Sequence, residues 1–180
     1  MDEDSKLIDA YLCGDEGAVE SLIKKYQKEV YSLSYRVAGD MEEAKDITQK
    51  ALISAVTELR NFKKKSSFKT WLYRITVNTA LNHMRGNSLI KVELTETIQS
   101  SDQGPVSHLI IKERERHLKS LLASLPHRQR LSVILRLYKD LSVAETAAVM
   151  GCSEGAVKAH YHSAIKKLKK SFDGGYVNEN

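Results

Sequence analysis

The chain has 180 residues, of which 42% are hydrophobic and 28% charged, with only 9 Gly and 2 Pro and a formal net charge of +5. This usage excludes collagen-like and disordered chains and is typical of a helix-rich globular protein of one or two domains. No apolar run approaches the roughly 18 residues that a membrane span needs. The start MDEDSKLIDAYL is acidic where a signal peptide is basic, so the sequence favours a cytoplasmic protein.

Charge is segregated along the chain. Residues 1–58 carry 7 Lys or Arg against 13 Asp or Glu, and residues 59–92 carry eight basic residues and no acidic one. From Ser107 onward, 13 basic residues stand against 7 acidic ones. Two separated basic blocks indicate a polyanionic partner for two surfaces, and the acidic first part indicates a partner that is not a nucleic acid.

The first part of the sequence predicts four helices, because apolar residues recur at three- and four-residue spacing between capping signals. The first helix ends at Gly14 and the second at Gly39. Asp40 then begins the third, with Glu43 three residues later as in a capping box. Together with a fourth helix, these elements predict a helical domain over residues 1–86.

The fourth predicted helix, SFKTWLYRITVNTALNHMR, carries much of the first basic block. Ser66 or Ser67 caps its beginning, and Gly86 ends it. From 87 to 106 the apolar pattern gives way to Ser, Thr, Gln and acidic residues, which predicts a linker. A connection of roughly 20 residues is longer than is usual within a compact domain, so this linker is expected to be mobile or to lie along a partner.

Helices resume in residues 107–180, where the most informative segment is DLSVAETAAVMGCSEGAVKAHYHSAIKKLKK. Ser142 and Glu145 form a capping box that begins a short helix, and Gly151 ends it. Ser153 caps a second helix after only a few residues. Two helices joined by so short a turn predict a helix-turn-helix, whose second helix lies in the major groove of DNA.

The second helix of this pair presents an outward face of small residues. A rotation of about 100° per residue places Gly155, Ala159, Ser163 and Lys166 on that face, with Lys158, His160 and His162 beside them. Small residues at the centre let a helix sit deep in the groove, and long donors reach base edges or phosphates. An ordinary helical hairpin that packs on the first domain is the alternative for this segment, and the basic run KKLKK disfavours it.

The sequence predicts no cofactor, no metal site and no enzymatic activity. Cys13 and Cys152 match no metal or redox spacing. His160 and His162 lie two residues apart and therefore point in different directions on a helix. A glycine-rich phosphate loop and a nucleophile-bearing strand turn are both absent from the sequence, so no assembled catalytic site is expected.

Three segments of the chain are informative together. In order they are EEAKDITQKALISAV, FKTWLYRITVNTALNHMR and LASLPHRQRLSVILRLYKDLSVAETAAVMGCSEGAVKAHYHSAIKKL. They resemble, respectively, the core-binding segment, the promoter-opening helix and the promoter-reading C-terminal domain of the extracytoplasmic-function RNA polymerase sigma factors of the sigma-70 family. The resemblance covers nearly the whole chain. It implies an all-α protein with sigma region 2 at 1–86, a flexible linker at 87–106 and sigma region 4 at 107–180.

The resemblance also implies which residues make contacts. Docking on a coiled coil of the polymerase's largest subunit would use Asp46, Ile47, Gln49 and Lys50. The loop 61–67 would read the minus-ten element with one base flipped out, beside charges that suit single-stranded DNA. The minus-ten contacts would be Arg60, Asn61, Lys63, Lys64, Lys65, Lys69, Arg74, Asn78 and Arg85. The minus-thirty-five contacts would be Ser153, Lys158, Ala159, His160, His162, Ser163 and Lys166.

Two features depart from the family's usual pattern. Lys45 and Lys50 stand where members commonly carry acidic residues, which bears on the contact with core polymerase. Lys158, His160 and His162 occupy a helix that often carries arginine, whose planar fork grips guanine bidentately. The second departure bears on which bases are preferred.

The function implied is that of a sigma factor, which binds core RNA polymerase and directs promoter recognition, DNA melting and transcription initiation. Core RNA polymerase and promoter DNA are the implied partners, and the resemblance leaves open an anti-sigma factor as a third. The alternative is a helix-turn-helix transcriptional regulator that does not join the polymerase, because the motif alone does not separate the two. A regulator would need a ligand pocket or a dimerisation face in the first part, where this chain has charge-segregated helices.

Overall fold

The computed structural model describes residues 2–90, 117 and 120–175, and the regular elements among them are all helical. In chain order they are α1 (Glu3–Leu12), α2 (Glu16–Ala38), α3 (Met41–Glu58), α4 (Phe68–Ile90), α5 (His127–Val133), α6 (Val143–Met150) and α7 (Glu154–Gly175). A 3-10 turn (Leu59–Asn61) follows α3, a π turn (Ile134–Tyr138) continues α5, and residues 120–123 are helical. The all-α prediction is confirmed. The predicted linker lies outside the described residues from 91 to 106.

Local capping explains where the first helices begin and end. Gly39 takes a left-handed φ of 82° and ends α2, as its position in the sequence predicts. Asp40 begins α3, because its side chain accepts two backbone N–H groups of the first turn at 2.9 Å. Of the two serines proposed for α4, Ser67 is the cap, since its Oγ accepts from the N–H of Thr70 at 3.1 Å.

Gly86 does not end α4, and that prediction is wrong. The helix continues through this residue to Ile90, so the boundary placed at residue 86 falls inside a helix. A glycine ends a helix when its backbone turns left-handed, and the described glycines with positive φ are Gly14, Gly39 and Gly151. In a right-handed conformation, glycine only weakens a helix by about 1 kcal/mol relative to alanine.

Helices α1 to α4 pack around an apolar cluster to which each contributes. The sequence places these apolar residues at helical spacing, and in the fold they share one interior. The buried members are Ile8, Leu22, Tyr26, Val30, Ala51, Ala55, Leu59, Phe68 and Leu72. This cluster fixes α3, α4 and the loop between them, which carry the predicted contact residues of the first part.

A second apolar cluster joins the two parts of the chain. From α2, α3 and α4 it takes Leu33, Val37, Ile47, Tyr73, Val77 and Ala80, and from the C-terminal helices Leu131, Ile134, Leu135, Leu141 and Val149. The packing on the first domain that was the alternative to a helix-turn-helix is therefore present together with that motif. We call this shared contact the junction.

Polar contacts surround the apolar part of the junction. The guanidinium of Arg36 lies over the ring of Tyr138, 3.9 Å from its centroid. The Nζ of Lys139 donates to the main-chain oxygen of Glu29 at 3.0 Å. Burial lowers the pKa of Lys139, because the protein interior disfavours its charged form. These contacts tie α2 to the segment just before α6.

The carboxylate of Glu29 on α2 contacts two residues of α4 at the junction. It accepts a hydrogen bond from the hydroxyl of Tyr73, which is fully buried, and lies 3.2 Å from the Nζ of Lys69. Burial would raise the pKa of Glu29, but the hydrogen bonds from Tyr73 and Lys69 and the nearby positive charges outweigh it and hold this pKa below its usual value.

Replacing Glu29 with Ala is expected to lower the free energy of unfolding by about 1 to 3 kcal/mol, because it leaves the buried hydroxyl of Tyr73 without an acceptor. Tyr73→Phe, which removes the hydroxyl itself, is expected to cost less. Urea unfolding at pH 7 measures both. Equal losses in the two variants would contradict this account of the junction.

The same carboxylate predicts acid sensitivity. A group whose folded-state pKa is depressed stabilises the fold above its unfolded pKa, about 4.3 for Glu, and loses that contribution as the pH falls through the folded value. The stability difference between the parent and Glu29→Ala should therefore shrink below about pH 4.

Candidate nucleic-acid and protein interfaces

The helix-turn-helix forms as the sequence predicts. Ser142 Oγ accepts from the N–H of Glu145 at 3.1 Å, and the Glu145 carboxylate accepts from the N–H of Ser142 at 2.8 Å, which completes the capping box. Gly151 ends α6 with a left-handed φ of 61°. Ser153 Oγ accepts from the N–H of Ala156 at 3.2 Å and caps α7. The turn between α6 and α7 is thus fixed by side chains next to it in sequence.

Helix α7 has one buried side and one side that faces outward. Val157 and Ala164 are buried, and Ala147 of α6 is buried where the two helices approach each other. The predicted contact residues Ser153, Lys158, Ala159, His162 and Lys166 are exposed, whereas His160 and Ser163 are partly buried. The structure therefore brings most of the set to one face of α7, with small residues along its middle. His160 lies off this face.

The loop 61–67 is exposed at every position except one. Asn61, Lys63, Lys64 and Lys65 all stand in solvent. Phe62 is partly buried and anchors the loop, with its ring centroid 5.0 Å from that of Trp71 in the aromatic cluster beneath. The loop thus presents amide and ammonium groups outward above a fixed base.

Helix α4 divides its predicted contact residues between two sides. Arg74, Asn78 and Arg85 are exposed and lie four and seven residues apart, which places them on one stripe. Lys69 lies on another side, partly buried, where it pairs with Glu29 in the junction. The structure therefore separates Lys69 from the other basic residues of α4.

A cavity of about 520 Å³ lies between the two parts of the chain. Its lining residues are Ala38, Glu43, Val77, Asn78, Leu81, Met84, Arg85, His127, Arg128, Leu131 and Met150. Two predicted DNA contacts, Asn78 and Arg85, thus open onto the same space as residues of α5 and α6. Access to them depends on how the C-terminal helices are placed.

The outer face of α3 combines charged, amide and apolar groups. Asp46, Gln49 and Lys50 are exposed, as docking on a partner requires. Ile47, predicted with them, is fully buried in the junction cluster, so its side chain supports the helix from inside. Ile53 is 58% exposed and lies four residues beyond Gln49 on the outer face.

Ile53 is a residue that the sequence analysis did not select. The sequence does contain a signal for this residue, because Ile53 falls outside the apolar stripe of α3 that the buried Ile47, Ala51 and Ala55 define. A large aliphatic side chain outside the stripe of an amphipathic helix is a candidate contact with a partner.

Among residues 2–90, 117 and 120–175, no group of three or more His, Cys, Asp or Glu residues is placed to hold a metal ion. In the same part of the chain, no helix combines the length and the apolar character that crossing a membrane requires.

The family models match two parts of the chain. The model for Sigma-70 region 2 matches residues 22–89, and the model for Sigma-70 region 4 matches residues 116–168. The first match contains α3, the loop and α4 almost entirely. The second contains α5, α6 and most of α7.

Curated relatives match along most of the chain. The RNA polymerase sigma-H factor of Pseudomonas aeruginosa is 32% identical over 95% of this chain and 94% of its own length. The ECF RNA polymerase sigma-E factor of Escherichia coli K12 is 32% identical over 92% of each.

Solved structures share the fold. CnrH in complex with the cytosolic domain of CnrY matches with a TM-score of 0.74 and 21% identity, over 96% of this chain and 99% of that one. The sigma factor RpoE in complex with the anti-sigma factor NepR from Bartonella quintana matches with a TM-score of 0.70 and 20% identity, over 89% and 98%. The two matched regions and the curated relatives show that the chain belongs to the extracytoplasmic-function RNA polymerase sigma factors of the sigma-70 family.

Proposed function

We propose that the chain binds core RNA polymerase through the outer face of α3 and directs it to promoters. Loop 61–67 and α4 read and open the minus-ten element, and α7 reads the minus-thirty-five element. The observation that carries this proposal is the separation of three surfaces with different chemistry. A face on α3 with charges of both signs, an amide and an apolar side chain suits a protein, while the basic loop and α7 suit nucleic acid.

The minus-ten role rests on the loop and one stripe of α4. Single-stranded DNA offers phosphates and unpaired bases, which ammonium and guanidinium groups and amides bind. Asn61, Lys63 and Lys65 in the loop are exposed and stand beside Arg60, which is exposed as well. The stripe on α4 extends the basic surface from the loop along the helix. Lys69 would contact the DNA only after its ion pair with Glu29 in the junction is broken.

The minus-thirty-five role rests on the outward face of α7. A recognition helix enters the major groove with its N-terminal half, where side chains meet base edges. Ala159 leaves room for close approach, and Lys158 and His162 flank it with donors. Lys166 lies further along the helix, where the backbone of DNA is nearer.

Core RNA polymerase and promoter DNA are the proposed partners, and the polymerase supplies the chemistry of transcription. We therefore propose no enzymatic activity for this chain and place it in the cytoplasm with the polymerase. An anti-sigma factor is a further proposed partner, supported by the fold shared with a sigma factor bound to NepR. The alternative, a regulator that does not join the polymerase, is not favoured, because the chain belongs to the sigma factors.

Permanganate reactivity of unpaired thymines tests the proposal. Core polymerase with the full chain should make thymines of the minus-ten element reactive on a promoter. Core alone and the chain alone should leave them protected. Reactivity without core, or binding of the chain to promoters with no effect of core, would favour the regulator.

Two substitutions on α7 should separate base contacts from phosphate contacts. His162→Ala is expected to flatten the preference among minus-thirty-five variants by about 1 to 3 kcal/mol at one position, because base edges carry sequence information. Lys166→Ala is expected to weaken binding to all variants alike and to reduce the salt slope by about one unit. A panel of single-base changes at several salt concentrations measures both. Discrimination left intact in His162→Ala would move the groove contact to Lys158.

A further inference from the structure

Helix α1 contacts the middle of the loop that the proposed function assigns to the minus-ten element. The Nζ of Lys64 lies 2.5 Å from an Oδ of Asp9, across 55 residues of sequence. Just before the loop, the guanidinium of Arg60 lies 5.9 Å from the ring centroid of Tyr11, also on α1. Neither α1 residue was singled out by the sequence, because nothing local connects α1 with the loop.

Lys64 has an unusual backbone conformation. Its φ of 52° is left-handed, and among the described non-glycine residues only Asp140 shares a positive φ. A side chain with a Cβ disfavours this region, so surrounding contacts must hold the residue there. The ion pair with Asp9 is the contact that the structure shows for the side chain of Lys64.

Helix α1 is itself held firmly enough to act as a support. Ile8, one residue before Asp9, is buried in the first cluster. At the other end of α1, Lys25 of α2 bonds to Glu3 at 2.6 Å and to Asp4 at 2.7 Å. The position of Asp9 is therefore fixed relative to α2 and to the core beneath the loop.

The three consecutive lysines of the loop differ in their surroundings. Lys64 forms an ion pair with Asp9. Lys63 and Lys65 are exposed, and within the described part of the chain neither makes an ion pair or a hydrogen bond. An ammonium already paired to a carboxylate has less to gain from a phosphate than an unpaired one.

We propose that Asp9 is a positioning residue for promoter reading: by pairing with Lys64 it holds the loop in its left-handed turn, so that Lys63 and Lys65, and not Lys64, contact the nontemplate strand. This inference rests on the proposed minus-ten role of the loop. It adds that α1, which lies before the matched sigma region 2, sets the shape of the DNA-reading loop.

The first test compares the three lysines in the holoenzyme. Lys63→Ala, Lys64→Ala and Lys65→Ala are each assembled with core polymerase, and binding to a single-stranded nontemplate oligonucleotide carrying the minus-ten element is measured against salt. Removing a phosphate contact lowers the slope of log K against log salt by about 0.7 for a single strand. We expect that change for Lys63→Ala and Lys65→Ala. For Lys64→Ala we expect an unchanged slope, because the loop loses its fixed shape, and with it base discrimination, while the two flexible neighbouring lysines still reach phosphates.

The outcomes distinguish this inference from the proposed function. If Lys64→Ala lowers the slope as much as its neighbours do, Lys64 is a DNA contact, and the inference fails while the loop keeps its role. If none of the three variants changes the slope, the loop does not hold DNA, and the inference falls with the proposed function of the loop.

The second test concerns Asp9 and uses a matched control. Asp9→Asn keeps the shape of the side chain and removes the ion pair, and Glu20→Gln removes the exposed pair with Lys24 on α2, far from the loop in sequence. Exposed pairs shift equilibria modestly, so Asp9→Asn should reduce discrimination among minus-ten base variants by about two- to fivefold, with core binding unchanged. Glu20→Gln should leave discrimination as in the parent.

A double variant separates positioning from general damage. If Asp9 acts through Lys64, Asp9→Asn combined with Lys64→Ala should reduce discrimination no further than either single change. Additive losses, or an Asp9→Asn variant that discriminates as well as Glu20→Gln, would overturn the positioning role.

Discussion

Replacing Ile53 with Asp is expected to weaken binding of the chain to core RNA polymerase by about 2 to 4 kcal/mol, the range of an interface hot spot. That corresponds to about 30- to 700-fold in the dissociation constant. The residue lies one turn from Gln49 and two turns from Asp46, on the face proposed to dock. Burying a carboxylate there without a partner costs free energy in addition to the lost apolar contact.

Met41→Asp is the matched control for this substitution. Met41 is also on α3 and is 58% exposed, like Ile53, but about 120° around the helix from it. Both variants should keep the parent's unfolding midpoint, because neither side chain is buried. Equal weakening of core binding by both substitutions, or by neither, would contradict the placement of the docking face.

The distance between Cys13 and Cys152 is expected to increase by tens of ångströms when the chain joins polymerase on a promoter. Cys13 lies in the first part of the chain and Cys152 in the turn of the helix-turn-helix, and both are free thiols. Minus-ten and minus-thirty-five elements are separated by about 25 base pairs, or roughly 85 Å of duplex at about 3.4 Å per pair. The junction, in which α4 and α6 pack together, cannot persist while both elements are bound.

Spin or fluorescent labels on the two native cysteines measure this change. The free chain should give the short distance of the closed junction, and the promoter complex a long one. A control with Cys152→Ser and Lys28→Cys places both labels in the first part, where the distance should stay constant. An unchanged Cys13 to Cys152 distance in the promoter complex would contradict simultaneous reading by the loop and α7.

Local signals in the sequence predicted much of the fold because capping is local chemistry. Ser142 and Glu145 lie within one helical turn of each other, so their pairing is readable from the sequence alone. Gly39 ends α2 for the same kind of reason. Gly86 was misread, because residue type alone does not say whether a glycine turns left-handed.

Contacts between distant parts of the chain could not be read in this way. The hydrogen bond from Lys139 to Glu29 spans 110 residues. Helical periodicity shows which side of a helix is buried, but it does not show which other helix packs against that side. The left-handed turn at Lys64 has no sequence signal either, since lysine has no preference for it. Most of the predicted contact residues lie on exposed surfaces, but Ile47 is buried and Lys69, His160 and Ser163 are partly buried. The pairing of Lys64 with Asp9 and of Lys69 with Glu29 became visible only in the fold.

Transcription in vitro, with start sites mapped, tests the central claim most directly. Core RNA polymerase is incubated with genomic DNA of the source organism, with and without the full chain, and the 5′ ends of the transcripts are sequenced. The account predicts new start sites that appear only with the chain, share upstream minus-ten and minus-thirty-five sequences, and disappear with Ile53→Asp but not with Met41→Asp. An unchanged set of start sites, together with no binding of the chain to core polymerase, would contradict it.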